Sequence, residues 1–470
     1  VLASGLMGSI SGSSVANVVT TGVITIPLMK RAGFTPRFAA GVEAAASTGG
    51  PLMPPIMGAG AFIMSTYTQI SYLAIVAVSV LPAILYFLSV AFWVRIEALK
   101  KGVAPVRDDT LSLAQVLRTG GHALLPLIML IVLLVVGFTP TYAAGASILA
   151  VIAASWLGQT PMGPRAVVDA LALGARNMVT TGLLLVSVGL VVNAIVTTGI
   201  GNTVSLMIGE WAGGSLLLTL LLVALAAVAI GLGLPVTATY VVLATLSAPA
   251  LYVLIAQGQL VDLIAAGLLP EQAKALFMLT APEAVASLGQ PMAVAEAEAL
   301  LAKVPAELTT QLLQQALSPA ALTTALLSAH MCIFWLAQDS NITPPVCITA
   351  FAAAAIADTP PMATGFTAWM IAKGLYIMPL LFAYTPFLAG DFWLSLWIFA
   401  FATVGIYSLT AAISGWMEAP LSWVERFLLA ATGIALLWPT GPIVNVPGFV
   451  FFLLLFGFNL WRGRKATAPA

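Results

Sequence analysis

The chain has 470 residues, 61% of them hydrophobic and only 7% charged, with a mean hydropathy of +1.06. A soluble globular fold of this length does not carry so few charges, so the sequence reads as an all-α, polytopic membrane protein. Net charge is zero, which makes nucleic acid and acidic surfaces poor candidates as partners.

In chain order, the first apolar segment is a half-span at about 13–29, followed by Lys30, Arg31 and Arg37. A helix over 38–64 is interrupted by Ser47-Thr48-Gly49-Gly50-Pro51-Leu52-Met53-Pro54-Pro55, and a long helix over 71–95 ends in Arg95, Lys100, Lys101 and Arg107. A polar stretch at 108–119 leads into spans at 121–138 and 142–157. Arg165 and Arg176 flank an amphipathic stretch before a span at 177–198. A hairpin over 214–255 has its tip at Gly231-Leu232-Gly233-Leu234-Pro235-Val236-Thr237. A second interrupted helix covers 325–357 and breaks at Asp339-Ser340-Asn341-Ile342-Thr343-Pro344-Pro345. Further spans fall near 367–388, 392–410, 423–438 and 446–461.

Between the second hairpin and the second broken helix, residues 257–322 hold Asp262, Glu271, Glu283, Glu296, Glu298 and Glu307 against Lys274 and Lys303. Ala, Leu and Gln recur there at helical spacing, which predicts a small acidic bundle of amphipathic helices. Lys and Arg cluster at 30–37, 95–107, 165–176 and 462–465 and mark cytoplasmic loops. Counting crossings between them places the two hairpins on opposite faces, pointing at each other, with 257–322 outside. Five units result: 1–100, the C-terminal part of a first inverted repeat; 101–256, scaffold helices and second hairpin; 257–322, the acidic insertion; 323–390, the second broken helix and the following span; and 391–470, the C-terminal helices. Setting Ala16, Val19 and Pro27 against Ala238, Val241 and Pro249 keeps their spacing and leaves little of a first arm before Gly12. The chain is therefore expected to begin midway through a re-entrant hairpin.

Proline removes a backbone donor and clashes with the preceding turn, so each interrupted helix should unwind at its Pro-Pro pair. Bare carbonyls at membrane depth persist only where they line a cavity or hold an ion. Two such breaks, each downstream of a Gly-containing interruption in another apolar run, mark an ion-coupled transporter built from inverted repeats. Ser11, Gly12, Ser13, Ser14 and Asn17 crowd the first tip, where small residues allow the turn and hydroxyl and amide groups supply oxygen. The helix after the tip offers N–H groups to a carboxylate, and carbonyls near Ser47 to Gly50 suit a sodium ion. Gly233, Pro235, Thr237 and Thr239 with Ser340, Asn341 and Thr343 repeat these parts. Any single Ser among them is explained by close helix packing; the paired breaks are not.

Glu43 and Asp339 lie inside the broken helices, where an unpaired acid costs roughly 2.5–3.5 kcal/mol. Neither has a basic residue nearby in sequence. Glu43, a turn before its break, is expected to cap freed N–H groups; Asp339, within its break, is expected to serve an ion site. His122 reads as interfacial, His330 as a hydrogen-bonded structural histidine, and Cys332 and Cys347 as buried thiols. No His-Glu-x-x-His, Gly-x-Ser-x-Gly or Walker loop occurs, so neither an intramembrane protease nor an ATP-driven machine is expected, and no cofactor is implied.

At these motifs the chain resembles the large membrane subunit of tripartite ATP-independent periplasmic (TRAP) transporters, above all the fused permeases that work with TAXI-type binding proteins. The resemblance is carried by Gly8-Ser9-Ile10-Ser11-Gly12-Ser13-Ser14-Val15-Ala16-Asn17, Glu43-Ala44-Ala45-Ala46-Ser47-Thr48-Gly49-Gly50, Met53-Pro54-Pro55-Ile56-Met57-Gly58, Gly233-Leu234-Pro235 and Asp339-Ser340-Asn341-Ile342-Thr343-Pro344-Pro345-Val346. It implies a sodium-driven importer of small organic acids in a bacterial or archaeal cytoplasmic membrane. A periplasmic TAXI-type protein would deliver substrate, and an elevator-like domain would carry both hairpins. Sodium would be held at Ser13, Ser14, Asn17, Ser47, Thr48 and Gly50, and at Gly233, Thr237, Ser340, Asn341 and Thr343, with substrate between the tips. The family's small partner and first helices are absent here, as expected of a truncated fused chain, and 257–322 is longer than the resemblance implies. A stand-alone ion/carboxylate exchanger and a non-functional fragment are the alternatives.

Overall fold

The computed structural model describes residues 1–103, 112–158, 160–285, 287–438 and 441–467. Arg107, the start of the polar stretch at 108–119, and the side chains of Glu307 and Lys465 lie outside the described residues. The described residues are helical, with one isolated bridge between Trp416 and Pro420. Among the described residues, eight helices are long and apolar enough to cross a membrane.

Helices α1 (Leu2–Ser11) and α2 (Ser14–Ala32) form a hairpin that turns at Gly12, in the left-handed region with φ 59°. The sequence reading began the first segment at about 13; the structure adds a ten-residue helical arm before it. Gly5, Gly8 and the small serines Ser4 and Ser9 let that arm lie close to its neighbours, and all four are buried or nearly so. The first broken helix is α3 (Pro36–Thr48), a 3-10 turn at Gly50–Leu52, and α4 (Gly58–Thr68). Thr35 caps α3, whose N1 position holds Pro36, where the missing N–H costs nothing. A 30-residue α5 (Tyr72–Lys101) follows, capped by Ser71 and ending in Lys100 and Lys101 before left-handed Gly102.

Next come α6 (Leu113–Gly120), α7 (Leu125–Val136), α8 (Pro140–Ser155), α9 (Pro164–Thr198) and α10 (Ile200–Trp211). The amphipathic stretch and span expected at 165–198 merge in α9, since no Pro interrupts them. Only a small share of α9 and of the 114–136 segment is buried, as for helices that face lipid or another chain.

The second hairpin is α11 (Leu216–Gly231) and α12 (Val236–Ala265). Pro27 and Pro249 fall at the same position in α2 and α12, counted from Ser14 and Val236. The acidic stretch folds as α13 (Glu271–Thr280), α14 (Val294–Leu301) and α15 (Ala306–Ala316), whose Ala273, Phe277, Ala297 and Leu312 are buried. Lys303 donates to Glu283 at 2.9 Å and holds its carboxyl below the usual value. The pair is exposed, so it contributes little to stability.

The second broken helix is α16 (Pro319–Ala337), a 3-10 turn at Gln338–Asn341, and α17 (Ile348–Ala357). The span expected at 367–388 is divided at Ala372 and Lys373 into α18 (Pro361–Ile371) and α19 (Gly374–Tyr384). Helices α20 (Phe392–Ser414), α21 (Trp423–Leu437) and α22 (Pro442–Thr467) build a smaller second core around Tyr407, Leu429 and Phe452 with the end of α5.

Packing around the breaks is reciprocal. Helix α2 lies on α3 and on α17, while α12 lies on α16 and on α4. Helix α1 rests on the first 3-10 turn and α11 on the second. Each hairpin thus touches the first half of one broken helix and the second half of the other.

Candidate functional site

At the first break, α1 approaches the 3-10 turn through glycine. A Cβ on Gly8 would overlap the Gly50 Cα, and one on Gly12 would lie 2.9 Å from the Gly58 Cα. These two backbone-to-backbone contacts require the absence of side chains. Asn17, fully buried, donates its amide to the Ser4 carbonyl at 2.6 Å and so ties the hairpin arms together beside Gly8 and Gly50. Buried Ser14 accepts from the Thr349 hydroxyl of α17 at 3.1 Å. Ser13 is exposed at the tip and caps α2 through the Ala16 N–H at 3.4 Å.

Glu43 is fully buried on α3 and does not cap freed N–H groups, contrary to expectation. Four hydroxyls surround its carboxyl instead. Ser4 lies 3.0 and 3.1 Å from the two oxygens, Thr21 2.5 Å, Thr25 2.6 Å and Ser47 3.2 Å. Three helices, α1, α2 and α3, supply these groups, and no Lys, Arg or His side chain among the described residues pairs with the carboxyl. Thr48 turns inward to the Ala44 carbonyl at 2.8 Å.

The carbonyls near Ser47 to Gly50 are not bare. Gly49 and Gly50 accept from Leu52 and Met53 at 3.1 and 3.0 Å, because the helix tightens to 3-10 before it stops. Each keeps a second lone pair for a further partner. Beyond the prolines, the Tyr72 hydroxyl lies 2.7 Å from both the Pro55 and Ile56 carbonyls.

The second break has a different chemistry. Ser340 stands ahead of Pro344-Pro345 at the same spacing as Gly50 ahead of Pro54-Pro55, and its Cβ occupies the place where a Cβ on Gly231 would fall, 2.6 Å away. Its hydroxyl donates to the Ala337 carbonyl at 2.9 Å, and Asn341 donates to Gln338 at 3.4 Å. Asp339 is 1% exposed, yet neither carboxyl oxygen has a hydrogen-bond partner at normal geometry. The Thr343 hydroxyl and the Gln338 amide nitrogen are also buried and unpartnered. The groups near enough to act on Asp339 are the Thr343 and Tyr376 hydroxyls and the Lys373 ammonium. An unpaired buried carboxylate is expensive, so a cluster of oxygens left this way fits a small hard cation. Gly233 is exposed with nothing within 4 Å of where its Cβ would be, and Thr237 is half-buried at the start of α12.

The structure therefore gathers Ser14, Asn17, Glu43, Ser47 and Gly50 at one break and Asp339, Ser340, Asn341 and Thr343 at the other. Ser13, Gly233 and Thr237 remain at the tips, outside both clusters. Sequence reading missed Ser4, Thr21, Thr25, Lys373 and Tyr376. Thr21 and Thr25, four apart on one face of α2, were the available signal for the first group. Lys373, alone among Lys and Arg between Lys303 and Arg426, was the signal for the second. His330 accepts or donates at Nδ1 to the Tyr240 hydroxyl at 3.0 Å, as expected of a structural histidine.

Known proteins agree with the membrane reading. A C4-dicarboxylate TRAP transporter large permease protein, DctM, of Pseudomonas aeruginosa is 33% identical over 148 residues, which cover 31% of this chain and 34% of that protein. Residues 1–396 match the family described as tripartite ATP-independent periplasmic transporter, DctM component. With that match over most of its length, this multi-pass membrane chain belongs to the DctM family of TRAP transporter large permeases.

Proposed function

We propose that the chain is the permease subunit of a sodium-coupled carrier that imports small carboxylates delivered by a periplasmic binding protein of the TAXI type. The observation that carries the sodium reading is the Asp339 carboxyl, buried in a helix break with both oxygens and the neighbouring Thr343 hydroxyl unpartnered. An incoming sodium ion would take oxygen from Asp339, Thr343 and adjacent backbone, and would fix the turn against α11. A second ion region lies around Asn17, Ser47 and Gly50, next to the hydroxyl-ringed Glu43. Bound cations and the N-terminal ends of α2 and α12 would then favour a carboxylate between the tips, so ion and substrate strengthen each other's binding. The reciprocal packing of hairpins and broken helices supports inverted repeats that move as one body, in elevator fashion, in the cytoplasmic membrane.

The test is uptake of a labelled dicarboxylate into proteoliposomes holding the full chain, with its binding protein outside. Sodium removal, Asp339→Asn and Asn341→Ala should each abolish uptake while leaving the protein monodisperse in detergent. Uptake undiminished in sodium-free buffer would overturn the coupling.

A further inference from the structure

We propose that Lys373 is a tethered counter-ion for Asp339: its ammonium neutralises the carboxylate in the sodium-free carrier and withdraws to the face of Trp369 when sodium takes its place. The inference rests on the sodium reading above and adds a residue outside both clusters.

Lys373 sits where α18 gives way to α19, at the interruption of that span. Its Nζ lies 3.3 Å from the Trp369 ring centroid and 5.7 Å from that of Tyr376, a cation held against aromatic faces rather than paired to an acid. Its charge nonetheless reaches Asp339. The Trp369 indole donates to the Tyr376 hydroxyl at 2.8 Å, and that hydroxyl borders Asp339 and Thr343. The aromatic rest position and the acidic site are thus joined through one phenol. A cavity of about 220 Å³ between α5, α19 and α20 opens onto Lys373 and Tyr376 beside Ser89, Trp93 and Thr410. The flexible four-carbon stem thus borders open space on the α5 and α20 side, although Asp339 does not line that cavity. In the structure the ammonium is at Trp369, and the groups beside the Asp339 carboxyl are the Thr343 and Tyr376 hydroxyls.

The physical need is plain. A carboxylate in a low-dielectric interior needs either a ring of donors, such as Glu43 has, or a positive partner, and after sodium leaves, the carrier must return through the bilayer. Lys373 is the sole Lys or Arg between Lys303 and Arg426. Two cations cannot both neutralise one carboxylate, so lysine and sodium compete. If lysine holds the site in most sodium-free molecules, the apparent sodium affinity falls by the fraction left open.

Sodium chloride titration of the purified full chain, read by tryptophan fluorescence with Trp369→Phe identifying the reporting ring, tests this. Lys373→Met and Lys373→Gln should bind sodium roughly tenfold more tightly than wild type, and Asp339→Asn should not bind at that site. A gain of affinity is a result that structural damage does not produce, and two replacements guard against one that misfolds. Wild-type or weaker affinity in both lysine variants overturns the proposal. Absence of any sodium response in wild type overturns the sodium reading itself, and the tethered counter-ion with it.

Discussion

At the scale of single residues, the two buried acids solve one problem in opposite ways. Glu43 is surrounded by hydroxyls from three helices, which give its buried carboxyl hydrogen-bond partners. Asp339 is left bare within reach of one lysine. Removing a donor from the Glu43 ring should therefore be costly. Thr25→Val is expected to destabilise the protein by about 1–3 kcal/mol, since it strips a buried oxygen of a partner. Thermal unfolding in detergent would show it, and an unchanged midpoint would mean that the Thr25 contact contributes nothing. Sequence made the two acids visible because any acid in apolar text stands out. The partners stayed hidden because Ser4, Thr21 and Lys373 reach the acids only through tertiary packing, from 39, 22 and 34 positions away.

At the scale of elements, the Pro-Pro pairs fixed where the long helices stop, and both breaks fall where proline chemistry requires. The way each helix stops was not legible. Tightening into a 3-10 turn before the prolines occurs at Gly50–Leu52 and, without any glycine, at Gln338–Asn341, so it follows what packs there, which no local rule reports. Division of the 361–384 span also escaped, for no proline stands at Ala372 or Lys373. Close approach of α1 to the break makes a sharp prediction. Gly8→Ala must push the hairpin off Gly50, costing about 1–3 kcal/mol as overpacking does. Gly231→Ala would crowd chiefly the Ser340 Cβ, 2.6 Å away, and pairing it with Ser340→Gly should restore the lost stability. Failure of that double variant to recover would show that the Gly231–Ser340 contact is not what limits the fit.

For the molecule as a whole, reciprocal packing means that neither half has a complete core. Helix α17 covers α2 and α3, and α4 covers α12. The aromatic run of Tyr86, Trp335 and Phe382 crosses from one half to the other, with ring centroids 6.0 and 5.4 Å apart. Two separately expressed pieces, divided between residues 103 and 112, are thus expected to be degraded when made alone and to co-purify when made together. Stable accumulation of the first piece by itself would contradict this. The sequence signalled the paired parts through Pro27 and Pro249 and through the two Pro-Pro motifs, but not the exchange of partners, because pattern along a chain does not say which surface meets which.

The two tips differ in how firmly they are seated. Gly12 and Gly8 hold the first against Gly58 and Gly50 with no atoms to spare, whereas Gly233 at the second has open space around it. Parting the first would forfeit a dense seam of main-chain contacts, while the close contact at the second is made by Gly231, two residues before Gly233, against Ser340. An added methyl group would thus be felt at Gly8 and Gly12 and go unnoticed at Gly233.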